Sequence, residues 1–288
     1  MNTSLTPLLL GYQRNEITES HIYRRLARIE KSPDNRKILE KIADDEKAHY
    51  ALWKKYTGQD VAPIRWKIIL FYWIGRLLGL TFGIKLMERG EDNAQIQYSK
   101  LKGQVAEIEQ IIRDENDHEN RLLGMLDEER LRYVGSIVLG LNDALVELTG
   151  SLAGLTLALK NPRLIALSGL IVGIAAALSM AASEFLSTKT EGGGKDPLRS
   201  SIYTGIAYII TVASLIAPYL ILKNPLVSLA VMMAIAVLII ALFNFYISVA
   251  TDRPFKKHFL EMTAISLGVA AISFCIGHLV QSLLGVEP

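Results

Sequence analysis

Cysteine is almost absent from this chain. Cys275 is the only one in 288 residues, which excludes an internal disulfide framework and any four-cysteine metal site. A basic patch interleaved with aromatics is also missing, so no nucleic-acid partner is expected. The N-terminus, Met1 to Thr6, has no positive region followed by a long apolar core, and no cleavable signal is expected there. Charge is scarce in one half only. Most acidic and basic residues lie in the first half, up to Arg132, and the remainder is dominated by Leu, Ile, Val, Ala and Gly. The formal net charge of +2 therefore averages two unlike halves and says little about partners. We expect two domains, 1–130 and 131–288, both all-α.

The first half is organised around Asp114-Glu115-Asn116-Asp117-His118. A glutamate and a histidine three apart share one face of an α-helix and can reach one metal ion. The same pair recurs upstream as Glu46 and His49. Two such pairs, each joined by a glutamate from another helix, are the ligand inventory of a carboxylate-bridged di-iron or di-manganese centre in a four-helix bundle. Thr6-Pro7 and Ser32-Pro33-Asp34 read as helix starts, opening helices over about 7–31 and 33–57, the second stopped by Gly58. Two further helices are predicted over about 82–102 and 104–130, with Gly103 at the turn between them. This makes two helical hairpins joined by a long crossover.

Counting outward from each turn tests the idea. Glu16 lies 16 residues before Ser32, while Glu46 and His49 lie 14 and 17 after it. Glu91 lies 12 before Gly103, while Glu115 and His118 lie 12 and 15 after it. At about 1.5 Å per residue, these candidates form one layer across the bundle. Glu16 and Glu91 are each followed seven residues later by a tyrosine, Tyr23 and Tyr98, expected to face the bundle interior near the metal. Glu19 and Glu88, one turn from Glu16 and Glu91, are possible additional ligands. The pattern resembles the ferritin-like superfamily, and within it rubrerythrin, over roughly residues 5–130. That resemblance implies Glu16, Glu46, His49, Glu91, Glu115 and His118 as ligands of iron or manganese. The rubredoxin domain of full rubrerythrins is missing, which counts against a peroxidase cycle.

The crossover, about 64–86, contains the apolar run Ile68 to Ile74, flanked or interrupted by Trp66, Lys67, Arg76 and Lys85. It reaches spanning length only by including Arg76. An interfacial helix is one reading; bundle core or a dimer contact is the other.

After Arg132 come five apolar stretches, at about 133–159, 163–187, 200–222, 225–250 and 258–284, each long enough to span a bilayer. Arg130, Arg132, Lys189, Lys195, Arg199, Arg253, Lys256 and Lys257 fall on one side of these spans, against Lys160, Arg163 and Lys223 on the other. The positive-inside rule then makes the first domain cytoplasmic and places the C-terminus outside a cell (inner) membrane. Carboxylates within spans are costly and kept chiefly for function. Asp143 and Glu147 sit one turn apart after Asn142, and Met180 and Glu184 one turn apart on the next span. Such a stripe suits Fe²⁺ or Mn²⁺ and would also serve protons. Gly150-x-x-x-Gly154 and Gly169-x-x-x-Gly173 allow close helix approach, in a dimer or a tight bundle. Pro218 is expected to kink the third span, and Cys275 and His278 to pack or find a backbone partner.

Here the sequence resembles the vacuolar iron transporter family, through Gly140-Leu141-Asn142-Asp143-Ala144-Leu145-Val146 and Ser179-Met180-Ala181-Ala182-Ser183-Glu184-Phe185-Leu186-Ser187. The resemblance spans about 133–286. It implies proton-coupled Fe²⁺ or Mn²⁺ transport from the cytoplasm, with Asp143 and Met180 in the path and a homodimer as the working unit. Many members of that family carry a glutamate-rich helical domain between spans two and three, whereas here the loop is only Thr188 to Arg199. The N-terminal bundle is a candidate substitute as metal collector or sensor, and the fused arrangement resembles bacterial membrane-bound ferritin proteins. The rival reading is a membrane-anchored di-iron oxidase or peroxidase whose spans only tether it, and a ferroxidase activity of the bundle stays open within either.

Overall fold

The computed structural model describes residues 6–87, 89, 105–125, 133–192 and 194–284, and these are helical or in short connections, with no strand among them. The chain divides into two compact units, Met1–Glu128 and Glu129–Pro288.

In the first unit, α1 (Thr6–Ile29) and α2 (Pro33–Thr57) form an antiparallel hairpin. Ser32 caps α2 by accepting from the Asn35 amide, with Pro33 in the first turn, where a missing N–H costs nothing. Gly58, at φ 68°, ends the helix in the left-handed conformation that glycine adopts without strain. A crossover helix, α3 (Arg65–Leu78), follows, and then a helical stretch over 80–87. Next comes α4 (Ile108–Gly124). It begins later than the predicted start near 104, because Val105 to Glu107 are taken up in a turn stitched by Ile108 N–H to Val105 O and Gln110 N–H to Glu107 O. Tyr56 fastens that turn to α2, accepting from the Ala106 amide and donating to Glu107. The arm predicted over 82–102 is described only to 87 and at 89; Glu88, Glu91, Tyr98 and Gly103 lie outside the described residues.

Two apolar clusters flank the polar layer of this bundle. One gathers Ile22, Leu26, Leu39, Ile42, Ile84 and Leu122; the other gathers Leu9, Tyr12, Trp53, Val105, Ile108 and Ile111.

In the second unit, α5 (Val134–Leu159), α6 (Pro162–Glu191), α7 (Pro197–Ile221), α8 (Pro225–Thr251) and α9 (Phe255–Leu284) are, among the described residues, the helices long and apolar enough to cross a membrane. Their bounds lie within a few residues of the predicted stretches. Asn161, Asp196 and Asn224 cap α6, α7 and α8, each followed by proline. Pro218 sits in the last turn of α7, which continues to Ile221.

The core runs along the spans through Leu145, Leu148, Leu152, Tyr208, Val212 and Met232. Large apolar side chains such as Leu178, Ile210, Leu220, Leu242 and Leu260 stand exposed on the outside, as a lipid-facing surface requires. Both glycine motifs are used within the unit. A Cβ on Gly150 would meet Val269 and Ser273, and Gly277 approaches the backbone of Gly154. Gly169 and Gly173 likewise lie against Leu152, Ile216 and Val212. Cys275 and His278 face outward and exposed. Of the two expectations for them, packing fails, because α9 turns its other side toward α5.

Candidate metal centre and membrane carboxylates

In each described arm of the bundle, the candidate ligands continue the buried stripe. On α2 the stripe runs Leu39, Ile42, Ala43, Glu46, His49, Trp53; on α4 it runs Ile108, Ile111, Glu115, His118, Leu122. Glu16 takes the corresponding place on α1, between Tyr12 and Tyr23. Helical spacing thus turns acids and imidazoles into the core, where burial is costly unless something compensates their charge.

Glu16, Glu46, His49 and Glu115 are all buried, and one ligand atom from each lies within 4.8 Å of the others. His49 Nδ1 is 3.5 Å from Glu16 Oε2, 3.5 Å from Glu115 Oε1 and 3.8 Å from Glu46 Oε2. His118 Nδ1 is 3.2 Å from Glu46 Oε1 and 3.9 Å from Glu115 Oε2. The two imidazoles face each other at 6.0 Å between ring centroids. The structure therefore brings together five of the six ligands that the resemblance implies. Glu19 is half-buried on α1 and is not a member of that four-residue group. Tyr23 is buried in the adjoining apolar cluster.

The outer nitrogen of each histidine is held by an aspartate that sequence reasoning missed. His49 Nε2 lies 3.3 Å from Asp114 Oδ2, and His118 Nε2 lies 3.3 Å from Asp45 Oδ2. Each aspartate directly precedes the candidate ligand glutamate of the opposite helix, so the two Asp-Glu-x-x-His stretches orient each other's histidines. The signal was in the sequence, as the repeated aspartate before each glutamate. Trp53 Nε1 donates to Glu16 Oε1 at 2.9 Å and fixes that carboxylate.

Electrostatics at this cluster favour a positive charge among its carboxylates. Burial pushes the Glu46 carboxyl well above the usual carboxylate range, and the charges of Glu115 and Glu16 push it further. Burial likewise raises Glu115. At Glu16 burial acts upward but is outweighed by hydrogen bonds from Glu46, His49 and Trp53, and its carboxyl is held low. At His49 burial acts downward and is overcome by the surrounding Glu115, Glu16 and Glu46, so its proton is held strongly. Glu46 Oε2 and the Nδ1 atoms of both histidines are sealed from solvent, each directed into the cluster at 3.2–3.9 Å from a carboxylate or imidazole of its neighbours. Inward-aimed carboxylates and imidazoles, with outer nitrogens fixed by carboxylates, fit a divalent transition metal.

The membrane unit holds its carboxylates differently, pairing them with hydroxyls. Tyr208 Oη on α7 donates to Glu147 Oε2 at 2.6 Å and also interacts with Asp143. Ser136 Oγ on α5 donates to Glu184 Oε1 on α6 at 2.6 Å, and Thr188 Oγ1 lies 3.4 Å from the same oxygen. Ser136 precedes Asp143 by two turns, roughly 10 Å along the helix, so the predicted stripe resolves into two polar levels. Asn142 Oδ1 is buried without a partner, and Met180 packs at the edge of the core. Tyr208 and Ser136 had no signal in the sequence, since hydroxyls are common in spans.

An all-helical, multi-pass membrane protein with a buried carboxylate–imidazole cluster in a separate helical unit is the class that these observations define. Residues 134–193 match the VIT family model. That segment covers α5 and α6 and includes Asn142, Asp143, Glu147, Met180 and Glu184. A comparison with curated proteins finds no significant match.

Proposed function

We propose that this protein exports Fe²⁺, with Mn²⁺ as the alternative cargo, from the cytoplasm across the cell membrane. In this reading a homodimer exchanges metal for protons, and the N-terminal unit is a cytoplasmic ferritin-like bundle that collects or senses the metal. The observation that carries it is the VIT family match over the two spans that hold Asp143, Glu147, Met180 and Glu184. Asp143 and Glu147 would take the cation in turn with protons, Tyr208 holding the carboxylate that is not engaged. Met180 adds a soft sulfur donor suited to a transition metal.

In the bundle, Glu16, Glu46, His49, Glu115 and His118, joined by Glu91, would hold a di-iron or di-manganese pair. Such a pair supplies redox chemistry when bound. The protein's own part is to fix the donors, through Asp45, Asp114 and Trp53, and to keep bulk water out with the Trp53 and Ile111 cluster.

The burial of that carboxylate–imidazole cluster also favours a second reading, a membrane-anchored di-iron oxidase. Fe²⁺ flux into proteoliposomes loaded with an iron-quenched dye, under a pH gradient, separates the two. Export predicts flux that Asp143→Ala abolishes and that Glu115→Ala with His118→Ala only slows. Absence of flux in every sample, with oxygen consumption lost only in the bundle variant, would establish the oxidase instead.

A further inference from the structure

The crossover helix α3 carries a feature that neither metal site uses. Ile68 and Gly75 are its buried positions, and Gly75 is seated so closely on α1 that an added Cβ would lie 2.6 Å from Leu26 Cδ2. On the opposite side, Trp66, Ile69, Leu70, Trp73 and Leu77 all stand exposed. At 3.6 residues per turn these five fall within an arc of about 100°. Arg65 and Arg76 border the arc on one flank and Lys67 on the other. Among the described residues no carboxylate pairs with any of these three cations; Arg76 instead donates to Tyr72 Oη and lies over the Trp73 ring at 6.0 Å.

We propose that this face of α3 lies in the headgroup region of an anionic lipid bilayer, parallel to the membrane plane. Fourteen residues make a helix of about 21 Å, too short to cross a hydrocarbon core of about 30 Å. An apolar stripe with tryptophans, edged by cations without acidic partners, is the arrangement of a helix that lies on a membrane, its side chains in the acyl boundary and its cations at lipid phosphates. The bilayer is always at hand, because the same chain enters its first candidate span at Val134, ten positions after Gly124 ends α4. The charge rules against a second copy of this face as occupant, since it would bring three cations against three.

The protein carries its own reporters. Its three tryptophans are Trp53, Trp66 and Trp73; Trp53 is sealed in the bundle and the other two lie on the stripe. Full-length protein in nanodiscs containing phosphatidylglycerol and lipids brominated high on the acyl chains should lose roughly half of its tryptophan emission relative to unbrominated discs. Trp66→Phe with Trp73→Phe, which keeps the stripe apolar, should abolish that loss. The proposal is overturned if bromine leaves wild-type emission unchanged, as when a second protein copy covers the stripe. It is equally overturned if the double variant is quenched as strongly as wild type.

Discussion

Glu46 is buried between two other carboxylates and two imidazoles, and this decides how the bundle responds to pH. Its carboxyl is raised by burial and by the charges of Glu115 and Glu16, while His49 holds its proton because three carboxylates surround it. Both protons occupy donors that a metal would need, so metal binding at this cluster would release them. Raising the pH removes the competitor and strengthens binding. The sign for stability agrees: a carboxyl raised by folding weakens the metal-free fold as pH climbs above the ordinary carboxylate range, and a bound cation cancels that penalty. The increment in Tm given by Mn²⁺ should therefore grow between about pH 5 and pH 8. Calorimetry in buffers of different ionisation enthalpy should register proton release near neutrality; binding without release would refute this account of Glu46 and His49. Asp45 and Asp114 give a second expectation at this scale. Asp45→Asn or Asp114→Asn removes the charged acceptor behind one imidazole and should weaken Mn²⁺ binding about 10–100-fold. Helix content, followed by circular dichroism, should stay unchanged because both side chains are partly exposed.

At the scale of elements, the membrane unit depends on how closely α5 approaches α7 and α9. A Cβ on Gly140 would lie 2.3 Å from the Thr204 carbonyl oxygen, a backbone atom that cannot swing aside. Thr204 Oγ1 binds Ser136 O one turn earlier and locks the same crossing. Gly140→Ala should therefore destabilise the detergent-solubilised unit by about 1–3 kcal/mol, as overpacking does, seen as a lowered Tm. Gly135→Ala and Gly268→Ala, where nothing lies within 4 Å, should leave Tm unchanged; equal losses at all three positions would show that Gly140 is not at a critical contact. The sequence marked Gly140 only as part of a family-like motif. Its physical role is visible once the facing carbonyl is in place.

At the scale of the whole molecule, two units follow opposite solvent rules within one chain. The N-terminal unit buries Glu16, Glu46, His49, Glu115 and His118 in its interior, whereas the membrane unit exposes Leu and Ile and buries serines, threonines and tyrosines. That division explains how the proposed transport separates into parts: loss of the bundle ligands should lower the supply of metal, and loss of Asp143 should close its path. The proteoliposome comparison of Asp143→Ala with the Glu115→Ala, His118→Ala pair reads both parts in one assay.

Much of this was legible without coordinates. Periodicity, caps such as Ser32-Pro33 and run length placed α1, α2 and the five spans, because each depends on neighbours within a few residues. The three-residue spacing of Glu46 with His49, and of Glu115 with His118, put each pair on one helix face for the same reason. Contacts between distant residues were decided only by tertiary structure. Asp114 reaching His49, Tyr208 reaching Glu147, Ser136 reaching Glu184 and the exposure of Cys275 each depend on which face one helix turns toward another. Rotation of a helix about its axis is set by the sum of its packing partners, and no local stretch of sequence carries that sum.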